Sequence, residues 1–292
     1  MSALPRPTLL TAGEQTLACY EWGRRDCART LVLLHGYPDS AVVWSEVAPL
    51  LADRFHVVAY DMRGTGLSGE PVGPAPYRFD VLIGDLAAVI DALSPDRPVH
   101  LAGHDWGALL GWEAVLDDRL TGRIASFSTA APSLDHVGLW FHAAWREGTL
   151  AGYGRFLRRA LASSYMMLLQ VPLVPEWTWR LGLTRLWPAI VGRLEGIRPP
   201  ARAGLLRDAV NGLGLYRANL LPALRRPRQR RTAIPVQALE MSRDPFVPQM
   251  MFEGLESSAP GLRRTPLTGG HWAMLADPAA FALALGDFAD RA

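Results

Sequence analysis

Val99-His100-Leu101-Ala102-Gly103-His104-Asp105-Trp106-Gly107-Ala108-Leu109-Leu110 reads as an apolar strand that turns sharply through Gly-x-Asp-x-Gly into a helix. Such an elbow holds its middle residue in a strained backbone conformation, and the flanking glycines let strand and helix approach closely. A carboxylate presented there is placed to attack a carbon electrophile and form an ester, which a second step must hydrolyse. A plainer reading makes Asp105 the N-cap of the helix. The residues around the elbow decide between the two.

Short apolar runs precede and follow it: Thr16–Trp22, Thr30–Leu34, His56–Tyr60, Val99–Ala102, Ile124–Thr129, Pro235–Met241 and Leu262–Leu267. Helical spacing of apolar residues spans Ala41–Ala52, Arg78–Leu93 and Pro278–Ala289. Near-continuous apolar strands alternating with helices predict an α/β fold with a mostly parallel sheet covered on both faces. Residues 133–231 break this pattern, being rich in Trp, Leu, Arg and Pro and mostly helical in spacing. The expected organisation is one core, residues 1–132 and 232–292, carrying an inserted helical cap, residues 133–231. The run Arg225-Arg226-Pro227-Arg228-Gln229-Arg230-Arg231 at its end reads as a solvated loop, with contact to anionic lipid as the sharper alternative.

Composition narrows the class. The 292 residues are 49% hydrophobic and 20% charged, enough for a sizeable core, and the formal net charge of +2 makes no case for nucleic acid. Every basic residue is Arg. Cys19 and Cys27 support no disulfide framework, which favours a reducing, cytoplasmic compartment. Residues 1–7 carry no secretory signal pattern, and no apolar run is long enough to span a membrane, so at most peripheral contact is expected.

In such a sheet ligands bind beyond the carboxyl ends of the strands, and the candidate residues fall there. His35-Gly36-Tyr37-Pro38 follows one strand. In an elbow enzyme, an amide from this loop and the amide after the nucleophile form an oxyanion hole, here Tyr37 and Trp106. Pro38 stiffens the loop, with a cis bond one way of doing so. Asp61 to Ser68 reads as turn chemistry with an Asp–Arg pair that pins loops, not as a catalytic group. His271, in Gly269-Gly270-His271-Trp272, is the candidate base, since it falls last in the order nucleophile, acid, histidine. The same order favours Asp244 as its acid, with Asp135 the rival.

Together these segments resemble the epoxide hydrolase branch of the α/β-hydrolase family, and the hydrolase half of proteins that append a short-chain dehydrogenase. The resemblance implies an eight-stranded sheet and two cap tyrosines that polarise an epoxide oxygen. Tyr165, in Ser164-Tyr165-Met166-Met167-Leu168-Leu169-Gln170, matches the first context except that Leu169 replaces the family's aromatic or His before Gln. Tyr216, in Leu215-Tyr216-Arg217-Ala218-Asn219, matches the second, and Tyr153 is a spare. Haloalkane dehalogenases share the Asp elbow, the following Trp and the His. They commonly place Asn after His-Gly to bind halide, where this chain has Tyr37. The implied activity is hydrolysis of a lipophilic epoxide to a vicinal diol through an Asp105 ester. The alternatives are a dehalogenase or a non-catalytic binder of lipophilic ligands. Epoxide and water are the expected partners, with a homodimer admitted, and no metal or cofactor is called for.

Overall fold

The computed structural model describes residues 3–197, 199 and 202–292. Eight strands form one sheet: β1 (Thr8–Ala12), β2 (Gln15–Trp22), β3 (Thr30–Leu34), β4 (His56–Tyr60), β5 (Val99–Gly103), β6 (Ile124–Thr129), β7 (Val236–Met241) and β8 (Arg263–Leu267). Their order is β1-β2-β4-β3-β5-β6-β7-β8, antiparallel at β1/β2 and β2/β4 and parallel elsewhere. The predicted α/β sheet is therefore present. The strand absent from the sequence reading is β1. It has five residues, is only half-buried, and lies at the sheet edge, so it carries no strong apolar signal. Gly13, at φ 58°, closes its hairpin to β2. At the other edge β8 is charged and exposed, with Arg263, Arg264 and Pro266 discouraging further strand pairing.

Period-two alternation splits the core. From β3, Val32 and Leu34 point to one face, where they meet Leu86, Ile90 and Leu110 of α2 (Phe79–Leu93) and α3 (Trp106–Ala114). Leu31 and Leu33 point to the other, against α1 (Val47–Leu51) and the terminal helices α10 (Ala273–Ala276) and α11 (Pro278–Ala289). The single helix expected over Ala41–Ala52 is instead a 3-10 turn at Ala41–Trp44 followed by α1. The Ala41 amide is taken by Asp61 Oδ1 at 2.8 Å, and Pro49 has no N–H to give a continuous ladder.

Between β6 and β7 the chain leaves the sheet for helices, among the described residues α4 (Leu134–Arg146), α5 (Leu150–Ala162), α6 (Tyr165–Leu168), α7 (Val174–Thr178), a π-helical turn (Trp179–Leu183), α8 (Thr184–Glu195) and α9 (Leu205–Arg225). The arginine run after α9 is not simply solvated. Arg230 lies 2.5 Å from Glu113 on α3 and 2.6 Å from Asp135 on α4, and Arg228 also pairs with both. These contacts tie the end of the helical segment to the sheet domain. The Asp61–Arg63 pairing is also corrected. Asp61 accepts from the Tyr20 hydroxyl and the Leu67 amide, while Arg63 makes a buried two-point pair with Asp85 at 2.6–2.7 Å. Both do pin loops, but with different partners. No described helix is long and apolar enough to cross a membrane.

Candidate active site

At the elbow Asp105 has φ 52° and ψ −121°, a conformation that L side chains rarely adopt. Tight glycine contacts hold it there. A Cβ on Gly103 would lie 2.5 Å from the Gly107 carbonyl oxygen, and one on Gly107 would lie 2.2 Å from that of Leu34. The Asp105 side chain makes no cap hydrogen bond to α3, which removes the N-cap reading. Its Oδ1 accepts the Tyr37 amide at 2.7 Å instead. Gly36 permits this approach, since a Cβ there would lie 2.4 Å from the Asp105 Cβ. Trp106 opens α3, so its amide is among those the helix's own ladder leaves free. The Tyr37–Pro38 bond is cis.

His271 follows β8 and is buried. Its Nδ1 lies 2.7 Å from Asp244 Oδ2, and its Nε2 lies 3.7 Å from Asp105 Oδ2, an ion-pair distance rather than a hydrogen bond. Asp244 turns its other oxygen back to the amides of Phe246 and Val247 at 2.7 and 2.9 Å, which fixes the carboxylate in a tight turn. Burial opposes charge at all three groups, but their mutual attraction wins. Against that desolvation, the negative charges of Asp244 and Asp105 raise His271 to about 10, and the imidazolium holds both carboxyls below their usual range. Asp135 belongs to the Arg228–Arg230 cluster.

Two supports of His271 carried no signal in the sequence. His104, inside the elbow, donates from Nε2 to the His271 carbonyl at 2.8 Å, and the two rings lie 4.5 Å apart. Burial, then the charge of His271, lowers His104 to about 3, so it stays neutral. Glu195, at the end of α8, accepts the Gly270 and Trp272 amides at 3.0 and 2.9 Å. A lone Glu ending a helix has no spacing that marks it.

A cavity of about 350 Å³ opens over Asp105, bounded by Trp106, Tyr165, Tyr216, Phe246 and Met251 among others, mostly apolar. The Tyr216 ring is T-shaped to Trp106 and Tyr37 at 4.7 and 5.2 Å, and Tyr165 packs on Phe246 at 5.7 Å. Burial, reinforced by the Asp105 charge, raises both phenols above their ordinary value, so they keep their protons. The segments bearing them are locked together. Gln170 donates to the Tyr216 carbonyl at 3.0 Å, and Arg217 pairs with Glu176 at 2.6 Å and donates to the Val171 carbonyl. Asn219 ties the second segment to the core by accepting the Phe79 amide. Leu169 packs into the core at the edge of this junction. Tyr153 packs on Trp145 and does not line the cavity. The Tyr37 hydroxyl accepts the Trp179 indole N–H at 2.7 Å, and Tyr37 is not part of the cavity wall either.

An elbow aspartate, a late histidine and an acid after β7, on this sheet order, define a hydrolase architecture, and residues 29–278 match the model of the alpha/beta hydrolase fold. The chain belongs to that family. It is 35% identical over 289 residues to the probable oxidoreductase EphD of Mycobacterium tuberculosis, which covers 94% of this chain and 48% of that protein. The chain thus spans about half the length of the curated relatives it matches first. Over 112 residues it is 38% identical to a fluoroacetate dehalogenase from a Burkholderia species, covering 37% of this chain and 36% of that one. An epoxide hydrolase structure from metagenomes of hot environments superposes with a TM-score of 0.79 at 28% identity, over 98% of this chain and 99% of its own. Over nearly its whole length the chain is thus similar in structure to an epoxide hydrolase of that family.

Proposed function

We propose that this chain is an epoxide hydrolase that opens a lipophilic epoxide through a covalent ester on Asp105, beneath a helical cap formed by residues 133–231. One observation carries the reading. Asp105 has one oxygen on the Tyr37 amide and the other facing His271, at the floor of an apolar cavity that two protonated phenols share. The roles follow from that division. Oδ2 attacks a ring carbon while the C–O bond breaks, and Tyr165 or Tyr216 gives its proton to the departing oxygen. Oδ1 becomes the ester carbonyl, already seated on the Tyr37 amide, with the Trp106 amide as second donor; such a donor is worth about 3–4 kcal/mol in related chemistry.

Ester formation removes the Asp105 charge. With one of its two carboxylates gone, the imidazolium gives up its proton more readily; that proton passes through solvent to the phenolate left by ring opening, and the neutral imidazole can serve as base. His271, oriented by Asp244, then takes a proton from water as the water oxygen attacks the carbonyl carbon. The ester C–O bond breaks, and the leaving alkoxide takes that proton from His271. The remaining water proton, first left on the reformed Asp105 carboxyl, passes to His271, which restores the carboxylate–imidazolium pair and closes the cycle at one epoxide and one water per diol.

The dehalogenase alternative draws on the Burkholderia relative. Against it stands Tyr37, which occupies the position after His-Gly without lining the cavity, while two phenols suit a leaving oxygen. The name oxidoreductase belongs to relatives about twice as long as this chain, and the reading here rests on its own Asp105, Asp244 and His271. The test is His271→Gln with a panel of aryl and alkyl epoxides. Trapping substrate mass on the Asp105 peptide is the expected result. Diol formation by wild type with no adduct in the variant would overturn the two-step chemistry.

A further inference from the structure

The mechanism above needs His271 Nε2 beside a particular carbonyl carbon, and the loop that carries it is held from outside the sheet. Trp187, Val191 and Glu195 fall four residues apart on one face of α8. Trp187 packs T-shaped on Trp272 at 5.7 Å, and Val191 is buried against the core. That packing delivers the Glu195 carboxylate, itself only 6% exposed, to the two amides that flank His271. Oε2 accepts Gly270 N–H at 3.0 Å and Oε1 accepts Trp272 N–H at 2.9 Å. Each bond is charge-assisted and desolvated, so each is stronger than an ordinary amide–carbonyl bond. The fit is close, since a Cβ on Gly270 would lie 2.4 Å from Oε1 and would displace the carboxylate. From the core side the same loop is held by Asp39, which accepts the Trp272 indole N–H at 2.8 Å, and by His104 on the His271 carbonyl.

We propose that Glu195 is a positioning residue that sets His271 for ester hydrolysis, so that seating of the cap and placement of the base are one event. This rests on the two-step reading above. Glu195 faces the backbone of the loop, not the cavity, and has no part in the attack of Asp105 on substrate. Its loss therefore divides the two half-reactions. Nucleophilic attack depends on Asp105, Tyr165 and Tyr216, none of which Glu195 touches. Hydrolysis depends on where Nε2 points, and a displacement of about 1 Å there costs on the order of 100-fold. A purely structural role would lower the fraction of folded enzyme and leave both rate constants of the folded fraction alone.

The test is rapid-quench kinetics on Glu195→Ala and Glu195→Gln, using the epoxide that wild type turns over, with melting temperature measured alongside. For Glu195→Ala the expected outcome is ester formation within about 3-fold of wild type and hydrolysis slower by on the order of 10- to 100-fold, so that the Asp105 ester accumulates. Glu195→Gln keeps one carbonyl acceptor and should fall between, a graded rescue. If Glu195→Ala does not fold, Gly270→Ala displaces the carboxylate from the other side and should produce the same accumulation. Equal slowing of both steps, or no change in their ratio, in the folded variants overturns the proposal while leaving the two-step reading intact. Failure of His271→Gln to trap any ester overturns both.

Discussion

At the scale of single residues, the proposed reaction divides labour between oxygens and protons. Tyr165 and Tyr216 are kept neutral by burial and by the Asp105 charge, which suits them to the proton-donating role proposed for them. Either Tyr→Phe change should slow single-turnover ester formation by roughly 10²-fold or more, and the double change should abolish it, because general acid assistance is typically worth about 10²–10⁴. Unimpaired epoxide opening by the double variant would remove the phenols from the mechanism. His271 makes a second prediction, read in stability. Folding raises its proton affinity, so the stabilisation from Asp105 and Asp244 is complete below the unfolded imidazole value of about 6.5 and is lost as pH climbs to about 10. The two carboxyls are lowered, so their share is present above the unfolded value of about 3.9 and lost as pH falls through their folded values. Melting temperature followed from neutral to alkaline pH should fall more steeply in wild type than in His271→Gln. That Asp105, His271 and Asp244 meet was legible because each follows a strand in a fixed chain order. His104 and Glu195 were not, because each acts through backbone groups that leave no pattern in residue type.

At the scale of elements, the elbow is a packing problem solved by two glycines. Gly107 has the backbone oxygens of Leu34 and His35 within 2.5 Å of where a Cβ would sit, and neither can move without displacing β3. Gly107→Ala should therefore destabilise by about 1–3 kcal/mol, the usual cost of overpacking, or prevent folding; denaturant unfolding measures it. A loss below about 0.5 kcal/mol would mean that the strand–helix junction is looser than this contact implies. The strands of the sheet interior were readable from their unbroken apolar runs, and the long helices α2 and α11 from their spacing. Edge strand β1 was not, since half its residues face solvent. The split of Ala41–Ala52 falls where Pro49, lacking an N–H, breaks the ladder that one continuous helix would need.

At the scale of the whole molecule, the helical segment is fastened to the sheet domain by charge as well as by apolar packing. Arg230 joins Asp135 of α4 to Glu113 of α3, with side-chain exposures of 21%, 8% and 12%. Asp135→Ala should lower stability by about 1–3 kcal/mol in chemical denaturation, as expected for removing a mostly buried acceptor from charged donors. It should leave the ratio of ester formation to ester hydrolysis unchanged, since Asp135 does not meet His271. A changed ratio would mean that this fastening, like Glu195, reaches the base. From the sequence, the arginine run read as solvent-facing, because a charge run without its folded partners shows no sign of being paired. The central claim is that water reaches the product only by way of Asp105. A single turnover in ¹⁸O-labelled water, with enzyme in excess over epoxide, tests this most directly. The account predicts the label in the Asp105 carboxylate and none in the first diol, with label entering the diol in later turnovers. Label in the first diol, with the Asp105 peptide unlabelled, would mean direct attack of water on the epoxide and would contradict it.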